Sequence, residues 1–282
     1  MYKVRSSRNP LGTGGKIEDM FFADLHVHTT LSDGQLELPA VPAAAQQAGV
    51  EVVAVTDHDR MQPALDAPVV ERDGVTLIHG IELRVDAGTQ KVDLLGYGVD
   101  PTSELEAECE RIQRNRVERA RAIVECVEDR LGVDLDFDLH PGVGRPHVAR
   151  AIGDSDADLT YQEAFDTLIG DDGPCYVARD IPDFETGRAL LADACPIVGL
   201  AHPLRYGDPE HALGLTAALD AVERYYPYGR EVDVSPVERA IDEYDLLATG
   251  GSDAHDDRLG IAGLDADTYE RVRDRLPRPT HG

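Results

Sequence analysis

The sequence has 282 residues and a formal net charge of −27, because 54 acidic residues outnumber 27 lysines and arginines. This charge repels a phosphate backbone, so it excludes a protein that holds nucleic acid through a broad basic surface. No apolar run approaches the roughly 20 residues of a membrane helix, and residues 1–20 lack the apolar core of a signal peptide. We therefore expect a cytoplasmic protein without a membrane partner.

Two residue types give further hints. Lysine occurs only at three positions, Lys3, Lys16 and Lys91, and this arginine bias together with the acidic excess indicates a salt-adapted, halophilic source. The four cysteines have no CxxC spacing, and nothing else in the sequence indicates disulfides. We therefore expect mostly buried thiols at Cys109, Cys126, Cys175 and Cys195.

Short apolar runs that end in polar residues recur along the chain, and each has the length and flanks of a buried parallel strand. Between the first two lies a helix-like stretch, LPAVPAAAQQAG, which Gly49 ends. Strand and helix in alternation predict a parallel α/β fold such as a barrel. The runs are MFFADLHVH, VEVVAVTDHD, VTLIHGIEL, KVDLLGYGV, CPIVGLAHP and YDLLATGGSDAH.

The pattern changes between about residues 101 and 179. Thr102 to Arg130 predicts one long charged helix, and a link rich in Gly and Pro leads to another helix-like stretch that ends at Ile169. We expect a helical insertion within a domain of residues 21–282, with strands resuming near Pro196. The segment ALDAVERYYP fits a helix or a strand equally, and residues 1–20 are expected to be partly disordered.

Each apolar run carries, or is soon followed by, a side chain that can bind metal. Because the carboxyl ends of parallel strands converge on one face, these side chains become neighbours there. A pair spaced H-x-H or D-x-H on a strand points to the same side, so it can chelate one ion. The candidates are His26, His28, Asp33, His58, His79, Glu82, Asp93, His202, Asp253 and His255.

Some of these residues have a simpler interpretation. His79 lacks a paired neighbour, so we interpret it as a core histidine rather than a ligand. Asp33 precedes a glycine, and a turn role is equally consistent with that position. Asp24, Asp57 and Asp59 are better candidates for carboxylates that orient imidazole rings.

The motifs DLHVHTTLSDG, VTDHD, GIEL, LAHP and GSDAH, in this order, resemble those of the PHP (polymerase and histidinol phosphatase) family of metal-dependent phosphoesterases. The segments LLGYG, NRVERAR and GRPHVAR resemble the branch that contains a nucleoside 3′,5′-bisphosphate phosphatase and ribonuclease AM. The resemblance implies a distorted, incomplete (β/α) barrel with a helical insertion over a site for three divalent metal ions.

Carried over by motif, the resemblance assigns ligands to each ion. It implies that His26, His28, Glu82 and Asp253 hold one ion and that Glu82 bridges to a second, which His202 and one more ligand complete. It also implies that Asp33, His58 and His255 hold the third. Asp93 stands where the branch has histidine. We predict that Asp93 is a ligand, with His147 as the competing candidate, and that its oxygen favours Mn²⁺, with Zn²⁺ and Fe²⁺ as alternatives.

Bound metal ions of this kind hydrolyse phosphate esters with an activated water, and the sequence shows no Ser-His-Asp or Cys-His arrangement for a protein nucleophile. The proton for the leaving group comes from metal-bound water or from a histidine such as His202 or His255.

For the substrate phosphate we predict contacts from four side chains. Arg116 and Arg119 are three residues apart on a predicted helix face, although a solvent-exposed charged helix would show the same spacing. Arg145 and His147 begin another helix, where anions bind well. Arg179 and Arg205 are weaker candidates.

The predicted function is hydrolysis of phosphate esters of small nucleotides, or of the 5′ ends of short RNA or DNA oligonucleotides. A histidinol-phosphate-type phosphatase and a non-catalytic metal-binding module are the alternatives. No stable nucleic-acid complex is expected with this charge. The sequence leaves the oligomeric state open.

Overall fold

The computed structural model describes residues 21–281, which form a curled, mixed β-sheet with helices packed against it. Residues 1–20, which we expected to be partly disordered, lie outside the described part. The strands are β1 (Ala23–Val27), β2 (Val52–Val55), β3 (Val69–Arg72), β4 (Val75–Asp86), β5 (Lys91–Tyr97), β6 (Ile197–Leu200), β7 (Ala221–Tyr225), β8 (Leu247–Gly250) and β9 (Thr280–His281). The helices are α1 (Val41–Ala48), α2 (Ser103–Leu131), α3 (Arg145–Asp154), α4 (Tyr161–Ala164), α5 (Phe184–Ala194), α6 (Pro209–Gly214), α7 (Ser235–Tyr244) and α8 (Ala266–Arg273).

All the predicted apolar runs form strands, and the ambiguous segment ALDAVERYYP contains β7. The sheet order is β1-β2-β4-β5-β6-β7-β8, while β3 pairs with both β4 and β9. Val27 also pairs with Ala254 beyond β8, so the first and last strands of this order approach each other. The prediction of a distorted, incomplete barrel is confirmed.

The expectation of a parallel sheet is wrong at β5, which runs antiparallel to β4 and to β6. The reason is the short connection after Asp86, where Ala87 donates a backbone hydrogen bond to Gln90 and closes a hairpin. A parallel pair needs a crossover of a dozen or more residues, so this turn permits only the antiparallel arrangement. As a result, Asp93 near the start of β5 lies at the same sheet edge as the ends of the other strands.

The long charged segment is one helix, α2, which Thr102 begins by accepting a hydrogen bond from the backbone amide of Leu105. Gly132 ends it in the left-handed conformation, with φ of 68°. Apolar side chains of α2 pack with α3, α4 and the helical turn Phe165–Ile169 in a core of their own. The bounds of about 101–179 for the insertion remain our interpretation.

The expectation of four thiols is wrong for one pair. Cys126 on α2 and Cys175 form a disulfide, while Cys109 and Cys195 are buried free cysteines. The two bonded cysteines are 49 residues apart in sequence, and only the packing of the insertion brings them together. Among the residues described, no helix has the length and apolar character needed to cross a membrane.

Candidate functional site

The predicted metal-binding side chains converge on one edge of the sheet. His26 and His28 belong to β1 and its end, and their side chains point to the same side while Leu25 and Val27 enter the core. The remaining positions follow β1, β2, β6 and β8 or lie within β4 and β5. All nine residues lie in three groups: His28, Asp33, His58 and His255; His26, His28 and Asp253; and Glu82, Asp93 and His202.

Glu82 lies between these groups. Its Oε2 is 2.8 Å from Nδ1 of His58 and 3.4 Å from Nε2 of both His26 and His28. Its Oε1 is 3.0 Å from Nε2 of His202. One carboxylate therefore contacts rings from all three groups, which is the position that a bridging ligand requires.

The side chains fit divalent metal ions. Within residues 21–281, Nε2 of His26 and Oε2 of Glu82 make no hydrogen bond, although both atoms are buried and lie 3.4 Å apart. Buried polar atoms normally have a partner, so this pair of atoms is suited to a shared ion. Imidazole nitrogens with carboxylate oxygens, without thiolates, suit Mn²⁺, Fe²⁺ and Zn²⁺.

The charges at this edge also favour a cation. Burial alone would raise the pKa of Glu82, but His58 and His26 hold it well below its usual range. Burial would lower the pKa of His58, but Glu82 and Asp33 raise it to about 9. The carboxylate of Glu82 thus remains ionised and attracts positive charge, either protons on the rings or metal ions.

Three of the six residues other than glycine that have positive φ in the described part of the chain lie at this edge. Asp59, His202 and Asp253 have φ of 53°, 28° and 51°, a region that residues other than glycine rarely adopt. Such conformations persist where surrounding contacts hold them, and they cluster at functional sites. The amide of His202 is held by Oε2 of Glu223 at 2.7 Å.

A glycine makes the approach of β1 and the chain after β8 possible. A Cβ atom at Gly251 would lie 2.3 Å from the backbone nitrogen of His26, which is shorter than any van der Waals contact. The motif TGGSDAH therefore needs glycine here to bring Asp253 next to the histidines of β1.

His202 and His255 were both predicted to bind metal and to donate a proton. Nε2 of each ring lies in a metal-binding group, at 3.0 Å from Glu82 and 3.2 Å from Asp33 respectively. Nδ1 of His255 donates to the carbonyl of Asp253, and Nδ1 of His202 is buried. Because neither Nδ1 is available to substrate, these contacts favour the metal-binding role.

The predicted role of Asp24, Asp57 and Asp59 is wrong, because none of them forms a hydrogen bond with an imidazole ring in the part of the chain described. Asp24 accepts backbone amides. Asp57 accepts the hydroxyls of Thr29 and Ser32. Asp59 binds guanidinium groups of the insertion region. His79 is buried, as the core interpretation predicts, and burial lowers its pKa to about 4, but neither ring nitrogen has a hydrogen-bond partner among the described residues.

The residue that orients imidazole is Glu223 of β7, which the sequence did not single out. It is fully buried, and its Oε1 lies 3.0 Å from Nδ1 of His26. Tyr226 and Arg205 were also missed as neighbours of the cluster, and they donate to Oδ2 of Asp253 at 2.7 and 3.0 Å. An acidic residue directly after the apolar Ala221 and Val222 was the only local signal for Glu223.

A cavity of about 600 Å³ lies next to the three candidate metal-binding groups. It shares four lining residues with the cavity of about 330 Å³ over those groups, namely Asp33, His58, Arg84 and Arg205. Its walls are strongly basic although the protein is acidic, and the basic residues are Arg84, Lys91, Arg116, Arg119, Arg145, Arg179 and Arg205.

Of the predicted substrate contacts, Arg119 and Arg116 differ in their partners. Arg116 is 7% exposed and binds Asp59 through Nε at 3.1 Å and Nη2 at 2.5 Å, and Arg179 binds the same carboxylate. Arg119 donates only to the carbonyl of Val177 within residues 21–281. Burial and then the neighbouring arginines lower its pKa to about 9, so this part of the cavity favours an anion.

Arg145 and His147 begin α3 on the far side of this cavity. Arg145 pairs with Asp171 at 2.7 Å and lies against the rings of Phe165 and Tyr176. His147 does not line the cavity or join the three groups, because its Nδ1 accepts the amide of Gly144 at the helix start. The geometry thus favours Asp93 over His147 as the ninth predicted ligand.

The sequence matches the PHP domain over residues 24–169. It is 27% identical to a 3′,5′-nucleoside bisphosphate phosphatase of Chromobacterium violaceum, across 82% of this chain and 86% of the relative. It is 29% identical to a 5′-3′ exoribonuclease of Haemophilus influenzae, across 65% and 69% of the two chains. A solved amidohydrolase of C. violaceum, with bound sulfate and no metal, superposes with a TM-score of 0.75 and 26% identity over 91% of this chain and 98% of that one. The chain belongs to the PHP domain family.

Proposed function

We propose that the chain is a metal-dependent phosphoesterase that hydrolyses phosphate esters of small nucleotides or the 5′ ends of short oligonucleotides. One observation carries the proposal: a cluster of histidines and carboxylates and an arginine-lined cavity share a wall at the same sheet edge. The cluster attracts cations and the cavity attracts anions. A phosphorylated substrate can bind both the metal ions that the cluster would hold and the arginines of the cavity.

The three groups would hold up to three divalent ions, with Mn²⁺ favoured by the carboxylate oxygens. Such ions neutralise phosphate oxygens and activate water for attack on phosphorus. The chain itself positions these ions through Glu82, which lies between the groups, and through His26 and His28 on one side of β1. No side chain of the cluster has to act as a nucleophile.

The arginine cavity would hold a second anionic group of the substrate. Arg119 has no carboxylate partner in the described residues, and Arg145 has only the exposed Asp171, whose side chain is 77% exposed. A protein of charge −27 repels phosphate over most of its surface. The local excess of guanidinium groups in this cavity is therefore a specific feature that an anionic substrate requires. Substrates with two phosphates fit this arrangement.

The names of the relatives support this substrate class. A nucleoside bisphosphate carries a second phosphate near the ester, and the substrate of an exoribonuclease carries a phosphodiester backbone. Both present one phosphate for hydrolysis and another for recognition. We also propose a cytoplasmic location and transient rather than stable binding of oligonucleotides, since the net charge opposes a lasting complex.

Parallel substrate profiling tests the proposal. The purified chain, supplied with Mn²⁺, is assayed on adenosine 3′,5′-bisphosphate, on a short 5′-phosphorylated RNA and on histidinol phosphate, at high and low salt. We expect release of phosphate or nucleotide from the first two. Activity on histidinol phosphate alone would favour that alternative, and no release from any substrate would leave only a metal-binding module.

A further inference from the structure

Asp93 differs from the other carboxylates of the three groups. Both of its oxygens accept hydrogen bonds from Nη1 of Arg84, at 3.0 and 2.7 Å, and its side chain is 4% exposed. The ring of His202 is farther away, with Nε2 at 3.8 Å from Oδ2. The carboxylate is therefore already paired with a cation that belongs to the chain.

The backbone holds this pair in place. Arg84 and Asp93 stand directly opposite each other in the antiparallel ladder of β4 and β5. The amide of Arg84 donates to Asp59 at 3.0 Å, and the amide of Asp93 donates to the hydroxyl of Tyr206 at 2.8 Å. Side chains of opposite charge attract each other when they stand directly opposite on neighbouring strands. Here the two backbone hydrogen bonds hold Arg84 on β4 and Asp93 on β5 in that position.

The other carboxylates keep an oxygen free of guanidinium. Among the described residues, Asp33 forms ion pairs only with the rings of His58 and His255. Asp253 gives Oδ2 to Arg205 and Tyr226 but turns Oδ1 to His28 at 3.1 Å. The groups that contain Asp33 and Asp253 thus retain the negative charge that binds a divalent ion.

We propose that the Arg84–Asp93 pair makes the group of Glu82, Asp93 and His202 the weakest of the three metal sites. The inference rests on the proposed function and deepens it by ranking the sites. A divalent ion at this group must share Asp93 with a guanidinium and lie close to its positive charge. Because Arg84 also lines both cavities, it supplies part of the positive charge at this corner.

Calorimetric titration of the metal-free chain with Mn²⁺, together with metal counting after desalting, tests the ranking. We expect two ions to be retained and a third to bind at least about tenfold more weakly than either. Arg84→Gln removes the competing guanidinium, so we expect it to increase the affinity for the third Mn²⁺ by about tenfold or more. Arg224→Gln is the matched control, since that strand arginine pairs with Glu238 at 2.6 Å and lines neither cavity, and it leaves the third ion unchanged.

Three ions of equal affinity in the unaltered chain would overturn the proposal without any variant. So would an Arg84→Gln chain that is folded, by circular dichroism, yet binds the third ion no better. The titration needs no turnover, so it is separate from the proposed function. If the three ions bind with equal affinity and the chain hydrolyses its substrates, only the ranking is contradicted. If the affinities differ and no substrate is hydrolysed, only the proposed enzyme activity is contradicted.

Discussion

Glu223 and His26 form a buried pair in which Oε1 of the carboxylate lies 3.0 Å from Nδ1 of the ring. A carboxylate oxygen accepts hydrogen bonds, so Nδ1 donates to Oε1 and Nε2 is the ring nitrogen that faces the cluster. The other oxygen of Glu223 accepts the amide of His202, whose backbone is strained. One side chain therefore positions two predicted ligands.

We expect Glu223→Gln to weaken binding of the first Mn²⁺ by about 10- to 100-fold, the usual cost of losing a group that orients a ligand. The amide of glutamine accepts at only one of its ends, so either His26 can no longer donate from Nδ1 or the amide of His202 loses its acceptor. Calorimetric titration measures the change. Glu238→Gln on α7, where an exposed glutamate pairs with Arg224, is the control and leaves the affinity as it was. Equal affinity in both variants would contradict the role of Glu223.

Arg119→Gln is expected to raise KM for adenosine 3′,5′-bisphosphate by about 10- to 100-fold, with little change in kcat. The reason is loss of a charge-assisted hydrogen bond to the second phosphate, worth about 1.5–3 kcal/mol. A substrate with one phosphate should lose little. Arg114→Gln on the same helix is the control, since its side chain is 65% exposed. An equal rise in KM for both substrates would place Arg119 at the scissile phosphate instead.

Arg116→Gln is expected to destabilise the fold by about 3–5 kcal/mol, because it leaves part of the buried charge of Asp59 unpaired. Urea unfolding followed by circular dichroism measures this loss. Arg111→Gln, which removes a more exposed pair with Glu108 on the same helix, should cost less than about 1 kcal/mol. If Arg116→Gln is as stable as that control and only raises KM, Arg116 is a substrate contact as the sequence first indicated.

The disulfide between Cys126 and Cys175 limits the number of thiols that can react before reduction. Under denaturing conditions without reductant we expect two reactive thiols, from Cys109 and Cys195, and four after reduction. Cys126→Ser is expected to lower the free energy of unfolding by about 2–4 kcal/mol, because it frees a long loop in the unfolded chain. Four thiols before reduction, in protein isolated without reductant, would contradict the bond.

Removal of metal is expected to lower the thermal midpoint. Without ions, Asp33 and Glu82 have only imidazole rings as a counter-charge among the described residues, and Asp253 has Arg205 besides its rings. Added Mn²⁺ at about 100 times its dissociation constant should stabilise the chain by about 2.7 kcal/mol for one site. Differential scanning calorimetry with chelator and then with Mn²⁺ measures both steps. An unchanged midpoint would mean that the cluster holds no ion in the folded state.

Local pattern in the sequence determined the strands and the positions of the metal-binding candidates. His26 and His28 alternate with Leu25 and Val27, and that period of two is visible in four residues. The long helix α2 was equally visible, since its cap and its periodicity lie within the same segment. These features depend on neighbours in the chain, and the sequence displays them directly.

Only the tertiary structure decided which distant groups meet. Glu223 and His26 are 197 residues apart, and Asp59 and Arg116 are 57 residues apart. The local sequence around these residues does not indicate their partners, because a hydrogen bond or ion pair depends on where the packed sheet and insertion place both side chains. The same holds for Arg84 and Asp93, whose pairing follows from the reversed direction of β5. The sequence by itself therefore determined the candidate metal-binding edge, while the packing decided which of its side chains are already paired with arginine.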